Sequence, residues 1–101
     1  MPVLHLLREA HVSGSAVPSC LTRMSQDDSI LLLENGVYLC MKGGLGFRQL
    51  STIAERGRLY VLGPDLAARG LALDDIGKGV TVVDYAGFVD LTVKSKSTIT
   101  W

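Results

Sequence analysis

The chain has 101 residues, and its ten basic and ten acidic side chains give a formal net charge of zero at pH 7. That balance excludes the strongly basic surface with which proteins bind nucleic-acid backbones or anionic membranes. Hydrophobic residues make up 48% of the sequence, which is a high proportion for one small domain and favours contact with other subunits.

The first three predicted elements are a strand, a helix and a second strand. Val3–Leu7 is a short apolar run, as expected of a buried parallel strand. A helix is predicted over 16–25, because Ser15 can cap its N-terminus and Pro18 falls in its first turn, where proline is tolerated. Residues 29–33 form the next apolar run and predict the second strand.

The segment after the second strand gives conflicting signals. Asn35-Gly36 lies between two apolar runs and is a strong signal for a two-residue β-hairpin, which would make its strands antiparallel. Alternatively, these residues end the second strand, and 37–42 begin a helix that continues to about Glu55 with a break at 43–44. We favour the helix, because of a family resemblance described below.

A third strand and a short helix follow. Residues 58–62 are apolar and predict the strand, and the Gly-Pro-Asp sequence at 63–65 opens a helix that continues through 66–69. Gly70 is placed to end this helix in a left-handed conformation. The apolar run 80–83 predicts a fourth strand.

The C-terminal segment fits two periodicities. The apolar residues of 85–94 match either the stripe of a helix or one face of a strand. Asp84 could cap a helix, and Lys94 would suit its C-terminal end, where the helix dipole favours positive charge. We therefore predict a helix to about Lys94 and a last strand at 98–101, with Trp101 packed into a core or an interface.

This order of elements predicts an α/β domain over 1–101, with a mostly parallel five-stranded sheet flanked by helices. No apolar run approaches the about 20 residues of a membrane-spanning helix, and the start of the chain lacks the features of a signal peptide, so we expect a cytoplasmic protein. Cys20 and Cys40 lie in no CxxC or Cys/His cluster. We expect reduced thiols, a buried Cys40, and neither a metal nor a cofactor.

Four stretches of sequence together carry a family resemblance. They are Leu4-His5, LLLENGVY at 31–38, LYVLGPDLAARG at 59–70, and DYAGFVDLTVK at 84–94 with the terminal Trp101. In combination they resemble the DsrH/TusB family of sulfur-relay proteins over nearly the whole chain. Residues 8–14 depart from the family pattern.

The resemblance implies a three-layer DsrE-like fold. It also implies a cytoplasmic heterohexamer with two homologous subunits, one DsrE-like and one DsrF-like, present in two copies each. In such complexes sulfur moves as a persulfide between cysteines, and a DsrC/TusE-like carrier protein exchanges it with the complex. The main acceptor cysteine is expected on a partner subunit, and no direct contact with nucleic acid or a membrane is implied.

Cys20 separates the two branches of this family. DsrH proteins, which serve oxidative sulfur metabolism, are similar to this chain in carrying a cysteine in the first helix, whereas TusB proteins commonly lack it. Cys20 therefore favours a DsrH-like subunit with Cys20 as the persulfide-exchanging thiol. The alternative is a TusB-like, largely structural subunit of the relay that makes 2-thiouridine at the tRNA wobble position.

Persulfide exchange requires a thiolate that a partner protein can reach. Cys20 lies early in the predicted helix, where the dipole and Arg23 would lower its pKa, and the functional interpretation requires this thiol to be exposed. The competing interpretation is an inert thiol, since Cys20 borders the apolar stripe formed by Val17, Leu21 and Met24. That interpretation makes the chain a structural subunit whose C-terminal helix and Trp101 organise its partners.

The remaining polar candidates are predicted to be structural. His5, inside a strand, is expected to be a hydrogen-bonded core residue without an identifiable partner, and His11 to lie in an exposed loop. The glycine-rich run 43–46 lacks the spacing of a phosphate-binding loop and predicts a helix break. The acidic pairs 27–28 and 74–75 are expected to be caps or solvated turns.

Overall fold

The computed structural model describes residues 2–10 and 16–101, so the predictions for Ser15 and His11 lie outside the described residues. The elements in this part of the chain are β1 (Val3–Leu7), α1 (Ala16–Arg23), β2 (Ser29–Leu32), α2 (Leu45–Glu55), β3 (Leu59–Leu62), α3 (Gly63–Ala68), β4 (Thr81–Val83), α4 (Tyr85–Lys94) and β5 (Ser97–Thr100). The predicted strands and helices are thus confirmed to within about two residues at each end. Within the same residues, no helix has the length and apolarity needed to cross a membrane.

All five strands are parallel and have the order β4-β3-β2-β1-β5. From β1 to β4 the chain moves across the sheet in one direction, so right-handed connections place α1, α2 and α3 on the same face. The return from β4 to β5 runs in the opposite direction and places α4 on the other face. The predicted three-layer α/β arrangement with a mainly parallel sheet is confirmed.

Two hydrophobic clusters hold these layers together. The larger cluster lies between the sheet and α1, α2 and α3, and its buried members are Leu7, Val17, Cys20, Ile30, Leu32, Val37, Leu39, Cys40, Leu50, Ile53, Ala54, Leu59, Val61 and Leu66. The smaller cluster lies beneath α4 and has only Leu4, Leu6 and Leu31 as buried members. Because alternate residues of a strand point to opposite faces, β1 and β2 contribute to both clusters.

The segment with conflicting signals is helical, so the hairpin interpretation is excluded. Glu34–Cys40 forms a 3₁₀ helix, and α2 follows after a turn in which Gly43 has a φ of 80°. Gly36 does not form a hairpin turn but lets its backbone lie close to the segment after β1. Its N–H donates a hydrogen bond to the Arg8 carbonyl at 3.0 Å. A Cβ at this position would overlap the carbonyl group of Leu7.

The ends of the last two helices agree with the capping signals. Gly70 follows α3 with a φ of 68°, the left-handed conformation that glycine adopts without strain. The side chain of Asp84 accepts a hydrogen bond from the Gly87 N–H at 2.8 Å and so caps α4. Near the other end of α4, Lys94 pairs with Asp90 at 2.8 Å on the exposed surface.

Candidate functional site around Cys20 and His5

Cys20 is fully buried, with 0% of its surface exposed. It lies on the face of α1 that packs on the sheet, next to the buried Val17, and belongs to the larger hydrophobic cluster. Cys20 therefore lacks the exposure that the functional interpretation requires. In the sequence pattern, Cys20 only borders the apolar stripe of α1. In the folded chain, Cys20 is part of that stripe.

The predicted lowering of the Cys20 pKa is wrong. Burial and, to a smaller extent, the negative charge of Asp28 together raise the pKa of this thiol from 9.0 to about 12. Desolvation of the thiolate outweighs the helix dipole, whose effect falls off within the first turn, whereas Cys20 is the fifth residue of α1. Cys20 is consequently a neutral thiol at physiological pH in the folded chain.

This burial predicts slow thiol chemistry. In a Cys40→Ala variant, which leaves Cys20 as the single cysteine, reaction with Ellman's reagent at neutral pH is expected to be at least about 100-fold slower than that of glutathione. The reason is twofold, because both the thiolate fraction and reagent access are reduced. Full reaction of the same variant in denaturant serves as the control, and a glutathione-like rate in the folded chain would contradict the burial of Cys20.

A buried hydrogen-bonded array lies next to this region. His5, on β1, is 1% exposed, and its Nε2 lies 2.9 Å from Oδ2 of Asp28. Its Nδ1 accepts a hydrogen bond from the indole Nε1–H of Trp101 at 3.1 Å. The expectation of a hydrogen-bonded core histidine is confirmed, and the structure supplies the two partners that the sequence did not identify.

Asp28 is the central acceptor of this array. Besides the contact with His5, its carboxylate accepts hydrogen bonds from the backbone N–H groups of Val3 and Ser25, both at 3.0 Å. Burial tends to raise the pKa of Asp28, but the hydrogen bonds from His5, Val3 and Ser25 together hold it below its ordinary value of 3.8. The expectation of caps or solvated turns at 27–28 fits the exposed Asp27, whereas Asp28 is buried and is not solvated.

The predictions for Cys40, for the glycine-rich run and for 74–75 are confirmed. Cys40 is buried, and its thiol donates to the Val37 carbonyl at 3.1 Å. The run 43–46 contains the turn before α2 and the first two residues of that helix, and 74–75 lie exposed in a short 3₁₀ segment. Among the described residues, no group of three or more His, Cys, Asp or Glu side chains is arranged to hold a metal ion.

Two of the surface clefts in the described part of the chain border α1. The larger, of about 550 Å³, lies between α1 and α2 and includes Leu21, Met24 and Arg56 in its lining. The second, of about 430 Å³, lies between α1 and Trp101 and includes Thr22 and Arg23. Neither lining includes Cys20, so neither cleft brings a reactant to its thiol.

An apolar stripe remains exposed on α4. Tyr85, Val89 and Val93 follow one another at four-residue spacing, and 59%, 58% and 75% of their surfaces are exposed. Residues at this spacing share one helix face, so the three side chains form a continuous strip. We call this surface the α4 stripe, and it has the composition expected of a protein contact.

Comparisons with known proteins agree on one family. The profile of a family described as "DsrH like protein" matches residues 12–98. Protein TusB of Buchnera aphidicola subsp. Baizongia pistaciae (strain Bp) is 34% identical over 99 residues, which cover 98% of this chain and all of that protein. Protein TusB of Pectobacterium parmentieri is 36% identical over 99 residues, with the same coverage.

Solved structures share the fold. The ychN protein from E. coli has a TM-score of 0.77 at 11% identity, and the match covers all of both chains. Protein MTH1491 from Methanobacterium thermoautotrophicum has a TM-score of 0.76 at 18% identity, with 99% of this chain and 98% of that chain covered. At these identities the likeness concerns the arrangement of strands and helices alone.

Proposed function

This chain belongs to the DsrH/TusB family, and from that premise we propose that it is a structural subunit of a cytoplasmic sulfur relay. In this relay, persulfide sulfur passes between cysteines of partner proteins, and the acceptor cysteine lies on a homologous subunit. The proposed pathway is the TusB-like one, which supplies sulfur for 2-thiouridine at the tRNA wobble position. The relatives described as Protein TusB support this choice over oxidative sulfur metabolism.

The burial of Cys20 carries the proposal. A thiol that exchanges persulfide must ionise and must meet the sulfur of a second protein. Cys20 is fully buried, and its pKa is raised to about 12. Both properties oppose direct exchange, which leaves the chain the role of holding its partners in position.

The α4 stripe supports the structural role. Its three large apolar side chains lie on a helix that contributes no buried residue to the chain's own core. Covering them with an apolar surface of a neighbour would remove them from water, which is the main favourable term in subunit association. We assign this contact to a DsrE-like or DsrF-like subunit of the heterohexamer, with a DsrC/TusE-like protein as the carrier that docks on the assembly.

The test of the structural role is the relay activity of a complex that lacks the Cys20 thiol. The complex is assembled with Cys20→Ala, and sulfur transfer from a persulfidated donor to the carrier is followed by mass spectrometry of trapped thiols. An unchanged rate is expected. The matched control is Cys40→Ala, which removes a second buried thiol from the same core, and a loss of transfer confined to Cys20→Ala would refute the structural role.

The α4 stripe gives a second prediction. Val89→Lys places a charge in the middle of the stripe and is expected to weaken assembly with the partner subunits by at least about tenfold, because the charge must be desolvated in the contact. Leu73→Lys is the control, since Leu73 is 68% exposed on a different segment. Co-purification and analytical ultracentrifugation give the comparison, and equal assembly of both variants would exclude the stripe as the contact.

A DsrH-like role is the second candidate function. Two observations favour it: the matching profile is described as DsrH-like, and α1 carries a cysteine. In this case Cys20 would exchange persulfide after a partner opens the contact between α1 and the sheet. Extra sulfur or a mixed disulfide found at Cys20 in the charged complex would establish this role, and its absence while transfer proceeds would exclude it.

A further inference from the structure

The hydrogen-bonded array of Asp28, His5 and Trp101 fixes the tautomer of the histidine. An indole nitrogen can only donate, so Nδ1 of His5, which lies 3.1 Å from the Trp101 Nε1, must be an acceptor without a proton. The single ring proton of neutral His5 therefore resides on Nε2 and is donated to Oδ2 of Asp28 at 2.9 Å. Each group in the array is satisfied only while His5 is neutral.

The two rings lie nearly parallel, with planes that differ by 20° and centres that lie 6.1 Å apart. This separation is at the limit of the about 6 Å within which an aromatic face attracts a cation. A positive charge on His5 would thus gain little of the cation–π attraction that a face contact gives.

A second proton on His5 affects the two ends of the array differently. At Nε2 the imidazolium would bond more strongly to the Asp28 carboxylate, because both partners would then be charged. At Nδ1 the new N–H would point at the N–H of Trp101, and two donors cannot bond to each other. The contact that is lost is therefore the one to Trp101.

The charged groups around His5 do not change which hydrogen bond is lost when His5 gains a proton. Asp28 faces it from the start of β2, and α1 contributes Cys20, a neutral thiol whose pKa is raised to about 12. Arg23 of α1 lies beside Trp101 in the cleft that both line. The strand residues paired with His5 are Ile30 and Ile99, neither of which is charged.

The strand that Trp101 follows is weakly held. β5 is an edge strand, bonded only to β1, and three of its four residues are exposed. Its pairing is bounded by bonds from Lys96 N–H to the Pro2 carbonyl and from Trp101 N–H to the Leu6 carbonyl, at 2.8 and 2.9 Å. An edge strand with so little burial belongs to the least stable part of a fold, where losing one side-chain contact changes the opening equilibrium.

We propose that Asp28, His5 and Trp101 form a proton-sensitive latch that holds β5 on the sheet while His5 is neutral and releases it when His5 becomes protonated. Opening of the latch would detach residues 97–101 and leave the outer edge of β1 unpaired. The latch is a property of this chain's own fold and does not depend on the proposed role in a sulfur relay.

Hydrogen exchange measured by mass spectrometry tests the latch. The experiment uses full-length His11→Gln, in which His5 is the one remaining histidine, and converts exchange rates to protection factors so that the intrinsic pH dependence is removed. Between about pH 8 and pH 5 we expect the protection of 97–101 to fall about tenfold, the equivalent of about 1.4 kcal/mol. Peptides from β3 are expected to keep their protection.

Trp101→Phe is the matched variant, because it keeps an aromatic ring and removes only the N–H donor. Its residues 97–101 are expected to show low protection at both pH values and no pH-dependent step. Three results would overturn the latch: no step in His11→Gln, a step that persists in Trp101→Phe, or an equal loss of protection in β3, which would mean that the whole domain opens.

Discussion

Replacing Gly36 by alanine is expected to lower the free energy of unfolding by about 3 kcal/mol or more. The added Cβ would overlap the carbonyl carbon and oxygen of Leu7, which are backbone atoms and cannot rotate away. That carbonyl also accepts a hydrogen bond from the Leu33 N–H at 3.1 Å, so moving it would disturb the junction of β1 with the segment after β2. Denaturant unfolding followed by circular dichroism measures the effect.

The control for this substitution is Gly43→Ala. Gly43 has a φ of 80°, but a Cβ there would meet no atom within 4 Å. Only backbone strain is added, so a loss of about 1 kcal/mol is expected. If the two variants were equally stable, the close approach of Gly36 to the first strand would not exist.

The second large effect is expected for Asp28→Asn, which should lower the free energy of unfolding by about 2–3 kcal/mol. The carboxylate oxygens of Asp28 accept hydrogen bonds from His5 and from the N–H groups of Val3 and Ser25. An amide offers one oxygen, so its NH₂ group must face at least one of these donors in a buried position. Chemical denaturation at neutral pH gives the difference.

Asp27→Asn provides the matched control for Asp28. The side chain of Asp27 is 82% exposed and lies 3.8 Å from Arg58, a surface pair expected to contribute less than about 0.5 kcal/mol. A loss of stability shared by both variants would point to the overall charge and would contradict the buried array. A loss confined to Asp28→Asn would support it.

The pH dependence of the free energy of unfolding in acid follows from the pKa of Asp28. Its pKa in the folded chain lies below the ordinary value of 3.8, so the folded state binds this proton less readily than the unfolded state. The stabilisation from Asp28 is therefore complete above about pH 5 and is lost as the pH falls through the folded-state pKa. Wild type is expected to lose stability in acid more steeply than Asp28→Asn over this range.

The strands and the ends of the helices could be predicted from the sequence because their signals are local. Asp84 caps α4 and Gly70 ends α3, as the capping residues predict. The burial of Cys20 could not be predicted in this way. Its proximity to the helix N-terminus and its place beside the apolar stripe predict opposite environments. Only the packing of α1 on the sheet decides between them.

The array around His5 depends on strand register, which the local sequence does not contain. Leu4 pairs with Ser29, and this register brings Asp28 next to His5 although 22 residues separate them. An acidic residue directly before a buried strand and a histidine inside its neighbour were the available signal. Trp101 completes the array from 96 positions away, a distance over which no periodicity argument applies.

The pairing of β1 with β5 also affects how the chain is made. Val3 aligns with Ser97, so one side of β1 acquires its neighbour only after the more than 90 residues between them have been synthesised. Until then, the apolar β1 exposes unpaired N–H and C=O groups that other nascent chains could bond. Forming this last pairing closes a loop of more than 90 residues, so it should be the slow step of folding.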